Sequence, residues 1–247
     1  MLEAMNDSSS KSACAGAFRT CRIGLDAVYA TIESYYGSKV ATYGATPRGV
    51  DWSCIASQRL RFVQLLKICD FSRSLSINDI GCGYGALIDF VCERYPAAIV
   101  DYLGIDLSPA MIRRARRRHR GRPGQRFVIG RLSPRIADYA IASGIMNVKL
   151  NHSPEEWEAF VAQSLRDMHA TSRLGFAVNF MAELSSDNTM GHLYRATPDR
   201  WRRYCEDELG NRVEVLDSYG MREFTLLVRH DGAALGKTIS RNWSKKV

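Results

Sequence analysis

The spacing of apolar positions changes near residue 70. Before it, intervals of three and four dominate. Ile23, Leu25, Val28, Ile32 and Tyr35 or Tyr36 predict a helix over 21–36, and Ile55, Leu60, Val63 and Leu66 predict another within 54–69. Between them "SKVATYGATPRGVDW", broken by Gly44, Pro47 and Gly49, reads as a loop. Beyond residue 70, short apolar runs alternate with helical stretches. Strands are predicted at 75–80, 99–106, 126–132, 138–145, 175–181, 212–219 and 223–230, and helices at 86–95, 109–119 and 154–169. Ser108-Pro109 starts one helix, and Ser153-Pro154-Glu155-Glu156 forms a capping box for another. Alternating strands and helices predict an α/β fold with helices on both faces of a mostly parallel sheet. The last two strands are too close for a crossover, so they should close the sheet as an antiparallel hairpin.

Composition narrows the class. The 247 residues are 46% hydrophobic and 24% charged, as in an ordinary globular protein, and no window approaches a membrane span. The N-terminus lacks a basic start followed by an apolar core, so no secretory signal is expected. The Ser- and Ala-rich residues 1–20 are expected to be a flexible tail, and 21–247 one domain, with N-terminal helices and a lid loop over 21–70 and the core over 71–230. Seven scattered cysteines include no C-x-x-C pair, so neither a disulfide framework nor a metal site is expected and a cytoplasmic setting fits. The net charge is +8, much of it in "RRARRRHRGR" from Arg113 to Arg122. That run reads either as a surface for nucleic acid or as the solvated face of the helix from Pro109. No aromatic residue interleaves with it to stack bases.

The stretch "DIGCGYG", Asp79 to Gly85, places three alternating glycines between a strand and a helix. Such a turn suits a nucleotide-like ligand. Asp79, two residues before the first glycine, would repel a pyrophosphate and attract a cation. S-adenosylmethionine (SAM) carries a sulfonium and an amino group and no phosphate. Gly81, Cys82 and Gly83 would let the chain pass close to it.

These residues resemble motif I of the class I SAM-dependent methyltransferases, whose fold is a Rossmann-like seven-stranded sheet. "YLGIDLSPAMI", Tyr102 to Ile112, is similar to the segment after that motif, in which an acid ends the second strand. The resemblance implies that Asp106 binds the ribose hydroxyls, with Leu107 beside it. It further implies that the third strand's end, at Arg131 and Leu132, lies near the adenine, and that Ser143, where the fourth strand delivers its motif, contacts the cofactor on the acceptor side. In this family the third strand often ends Gly-Asp. Here it ends Gly130-Arg131, so backbone groups at Arg131 and Leu132 are expected to serve instead. The segments "TYGATPRGVDW" and "LYRATPDRW" resemble a bacterial subfamily of unassigned acceptor.

A methyltransferase must align its acceptor and exclude water beyond the C-terminal strand ends. Asn147 and Asn179 fall there. The resemblance implies that the segment before the first strand closes over the ligands, with Tyr43, Arg48 and Trp52 as substrate contacts. His192 and Tyr194, in an insertion after strand five, suit a second lid. His152 reads either as a general base or as an exposed residue before the Ser153 cap. The sequence thus predicts transfer to an O or N atom of a small molecule. The alternatives are an RNA methyltransferase using the basic helix, and an NAD-dependent enzyme or a non-catalytic nucleotide binder, which Asp79 disfavours.

Overall fold

A computed structural model describes residues 25–52, 54–183 and 191–231. The elements are helix α1 (Leu25–Tyr43), a 3-10 turn (Pro47–Val50), α2 (Ile55–Leu65), β1 (Leu75–Ile80), α3 (Ala86–Arg94), β2 (Val100–Asp106), α4 (Pro109–Arg118), β3 (Gln125–Ile129), β4 (Ala137–Ala142), α5 (Pro154–Ala170), β5 (Ser172–Met181), α6 (Pro198–Arg203), a π-helical turn (Tyr204–Glu208), β6 (Asn211–Leu216) and β7 (Glu223–His230). The seven strands form one sheet in the order β3-β2-β1-β4-β5-β7-β6. All pairs are parallel except those of β7, which runs antiparallel to both β5 and β6. This is the expected fold class.

Both faces of the sheet are covered. On one, Phe62, Leu65, Leu87, Phe90, Ile112 and neighbouring residues from α2, α3 and α4 pack on β1, β2, β4 and β7. On the other, Trp157, Phe160 and Leu165 of α5 join Phe176 and Phe180 of β5, Trp201 of α6, and Leu25 and Val28 of α1. The predicted helix starts are present. Ser108 Oγ accepts from the Met111 amide, and Ser153 and Glu156 cap each other reciprocally at 3.0 and 3.2 Å.

Two departures from the sequence reading matter for the site. First, α1 runs to Tyr43, through the stretch read as loop. Residues 21–24 and the tail 1–20 lie outside the described residues. Gly37 alone does not break the helix, because the following turn anchors Val40 and Lys39. Val40 is buried, and Lys39 donates to Asp51 Oδ1 at 2.7 Å. Tyr35 donates to the other oxygen of Asp51, a residue held in the left-handed region at φ +63°. Second, β3 ends at Ile129 and β4 at Ala142, short of the predicted 132 and 145, so Arg131, Leu132 and Ser143 lie on the links beyond the strands. Helix α1 packs against both α4 and α5.

Candidate active site

The strand ends of β1, β2, β3 and β4 open into one large cavity, roofed by α1, the 47–52 turn and α5. Asp79, Gly81, Cys82, Gly83, Asp106, Leu107, Arg131, Leu132 and Ser143 all line it. The glycine turn is tied back to the sheet by two amides, Gly81 and Cys82, which both donate to Ile105 O at 2.8 and 3.0 Å. Gly81 is in the left-handed region at φ +72°. A methyl group on it would fall 2.2 Å from the Ile145 side chain. Only glycine therefore lets the β4–α5 link approach the turn.

The two carboxylates sit in different settings, Asp79 buried and Asp106 half-buried at the cavity wall. Asp106 accepts from the Gly83 amide at 2.9 Å and the Ser108 amide at 2.8 Å. Asp79 has, among the described residues, only the Tyr102 hydroxyl as donor. Burial raises both, Asp79 to about 7 and Asp106 to about 6. Two carboxyl groups in the cavity wall with no cation against them among the described residues favour a ligand that brings positive charge and hydroxyl donors. The Ser143 hydroxyl is also buried and without a protein partner. SAM fits this set: a cation for Asp79, a diol for Asp106 and a polar group for Ser143. Burial pushes the Cys82 thiol well above its usual range, so Cys82 is a packing residue of the turn and no nucleophile. The Arg131 guanidinium pairs with Asp26 and lies 4.6 Å from the Tyr29 ring, so it is held against α1.

The residues expected around the acceptor divide. Trp52 lines the cavity. Tyr43 is exposed at the end of α1, and Arg48 is exposed on the outer side of the turn. The inward position of that turn belongs to Val50, which packs on Gly83. Asn147 is buried and accepts from the Met181 amide at 3.0 Å, and Asn179 is buried in a polar chain described below. Neither reaches the cavity wall. His192 sits in a separate surface groove with Thr31, Ser34 and Asn151. Of the second lid, Met190 lies outside the described residues. Tyr194 is core: its hydroxyl accepts from Trp201 Nε1 at 3.1 Å and lies 3.2 Å from Glu158 Oε1. Its aromatic character serves packing between α5 and α6. His152 also stays off the cavity, with Nδ1 3.6 Å from Glu156 Oε2, one turn into the helix whose cap it precedes. Its general-base reading has no geometric footing here.

The sequence reading missed Tyr29, Ile32 and Tyr36 of α1 and Trp157, Phe160 and Met168 of α5, all of which line the cavity. Their helical spacing signalled only a buried face. Nothing in it distinguished a face that meets a core from one that meets a ligand.

Comparison with known proteins agrees with this geometry. The Methyltransferase domain family matches residues 78–167. Rv1506c of Mycobacterium tuberculosis, named as a methyltransferase, is 40% identical over 165 residues, covering 66% of this chain and 98% of that protein. Human N-acetylserotonin methyltransferase, solved with SAM, superposes with a TM-score of 0.58 at 16% identity, covering 90% of this chain and 67% of the other. An O-methyltransferase family protein from Burkholderia thailandensis gives 0.54 at 14% identity over 71% of this chain, which spans only 56% of that longer protein. Among the described residues no helix is long and apolar enough to cross a membrane. From the relative in Mycobacterium tuberculosis, the matched domain and the cofactor-shaped strand ends, this chain belongs to the class I SAM-dependent methyltransferases.

Proposed function

We propose that this enzyme methylates an O or N atom of a small, non-anionic acceptor. The observation that carries the reading is the charge and shape of the cavity. Beyond the two carboxylates read as cofactor contacts, its described walls include Glu33 and Asp167 against the one guanidinium of Arg131, itself paired with Asp26, in a chain of net charge +8. Like charges facing an anionic acceptor in a desolvated site cost several kcal/mol. The remaining wall is aromatic and aliphatic, with Tyr29, Tyr36, Trp52, Trp157 and Phe160. Such a surface suits a compact apolar acceptor. The names of the structural neighbours, an N-acetylserotonin methyltransferase and an O-methyltransferase, accord with this class.

The arginine run supports the same choice. Arg116 donates twice to Phe127 O, at 2.8 and 2.9 Å, and Arg118 and Arg122 both clamp Asp89. Three of its seven arginines thus serve the fold. We further read 21–247 as one domain on the 71–230 core, in a reducing compartment such as the cytoplasm. The scattered cysteine spacing, with no C-x-x-C pair, supports that compartment.

SAM supplies an electrophilic methyl group on a sulfur that leaves as a neutral thioether. The residues then need to hold, align and dry the site. Asp79 and Asp106 fix the cofactor. Val50 and Trp52 close it from above, and the walls orient the acceptor. With so good a leaving group, alignment carries the rate. Incubation with methyl-tritiated SAM and separate pools of phenols, amines and RNA tests the reading. Label in phenols or amines is expected, and label in RNA alone overturns it.

A further inference from the structure

Five residues far apart in sequence form a closed circuit behind the cavity. Arg61 of α2 pairs with Glu223 at the start of β7, Nε to Oε2 at 2.6 Å with a second contact from Nη2. Glu223 Oε2 accepts from Asn179 Nδ2 of β5 at 3.1 Å. Asn179 Oδ1 accepts from the Gly144 amide, just after β4, at 2.8 Å. Gly144, at φ +81°, lies under the Trp52 ring, so close that a methyl group on it would fall 2.1 Å from Cζ2. The Arg61 guanidinium stacks on that same ring with Cζ 3.7 Å from the centroid, which closes the circuit. Arg61 and Glu223 are each 5% exposed and Asn179 is fully buried. Only Trp52 and Gly144 face the cavity.

We propose that Arg61, Glu223 and Asn179 are positioning residues that set the Ser143–Ile145 turn and the Trp52 wall together. A buried ion pair is a poor stabilising device, because desolvation offsets the attraction. Here its geometry is spent on direction. The bidentate fork fixes the guanidinium plane on which Trp52 lies, and the free carboxylate lone pair fixes the Asn179 amide that grips Gly144. Ser143 precedes that grip and Ile145 follows it. The lid wall and the turn carrying the unpartnered Ser143 hydroxyl therefore share one reference, although 91 residues separate Trp52 from Ser143. The inference rests on the reading of this turn as part of the cofactor site.

The test uses the full chain labelled with 5-fluorotryptophan, followed by 19F NMR during titration with S-adenosylhomocysteine and by calorimetry. Trp52→Phe identifies one of the four tryptophan signals. Wild type should bind and shift the Trp52 signal. Glu223→Gln should weaken binding about tenfold or more and move or broaden the Trp52 signal before ligand is added, while the core signals of Trp157 and Trp201 stay in place. The paired replacement Arg61→Met with Glu223→Leu leaves no orphaned charge, so it keeps the test alive if the single variant does not fold. It should show the same two losses. A folded variant with wild-type affinity and an unmoved Trp52 signal overturns the proposal. Failure of wild type itself to bind would instead overturn the cofactor-site reading beneath it.

Discussion

Replacing Asp79 by asparagine should strengthen the fold while weakening the site. The carboxyl group is 2% exposed and has one protein donor, the Tyr102 hydroxyl. Burial raises it from 3.8 to about 7. A group raised in the folded state lends stability that is fully present below its unfolded value. That stability is lost as pH climbs through the folded value. For Asp79 the window runs from about 4 to about 7. Three pH units at 1.36 kcal/mol each put the cost of the ionised group at roughly 4 kcal/mol as an upper figure at pH 8. Asparagine has nearly the same shape, still accepts from Tyr102 and carries no charge. Urea unfolding of the ligand-free protein should therefore show Asp79→Asn more stable than wild type at pH 8, by roughly 2–4 kcal/mol, and equal to it near pH 4. The same variant should bind S-adenosylhomocysteine 10- to 100-fold less tightly, from the loss of a charge-assisted bond of about 1.5–3 kcal/mol. A stability difference independent of pH would refute the buried-charge argument. Unchanged affinity would remove Asp79 from the cofactor contacts.

Affinity for S-adenosylhomocysteine should rise between pH 5 and 7, because binding needs Asp79 and Asp106 ionised and the ligand-free protein holds both protonated more strongly than usual; calorimetry in buffers of different ionisation heat should show protons released. Asp106→Ala should weaken binding by about 1–3 kcal/mol and orphan the Gly83 amide, and a folded variant of unchanged affinity would cancel its ribose role. Arg113, Arg117 and Arg120 changed together to Gln should leave turnover on the true acceptor intact, whereas a large loss with a flatter salt dependence would mark a polyanionic acceptor. Arg116→Gln should instead lower stability by roughly 1 kcal/mol through its lost bonds to Phe127 O, read by thermal unfolding.

The parts of the site that lie at strand ends were legible because local rules write them. β1 and β7 occupy the predicted residues 75–80 and 223–230, and the Asp79–Gly85 turn and Asp106 follow directly from strands whose ends the glycines and Ser108 mark. The walls were not legible. Tyr29, Tyr36, Trp157 and Phe160 look like any buried helical stripe, and their shared cavity depends on α1 meeting α5 across more than 100 residues. The aromatic lid expected at Tyr194 failed for the related reason that its partners, Glu158 and Trp201, are assigned by packing and not by proximity to a strand end. Asn147, in the link after β4, and Asn179, near the end of β5, turn their carbonyl oxygens to the Met181 and Gly144 amides and stay off the cavity, which no spacing reveals.

The placement of α1 has a kinetic consequence. Its docking surfaces include α4 and α5, and α5 is itself seated on β4 and β5, so each of α1's contacts with those two helices closes a chain loop of roughly 65 residues or more. Loop closure of that length is slow and is compensated only after the distant partners exist. The roof helix therefore takes its seat no earlier than α4 and α5 do. Of the described helices, the first to leave the ribosome must wait for two later ones before it has a place.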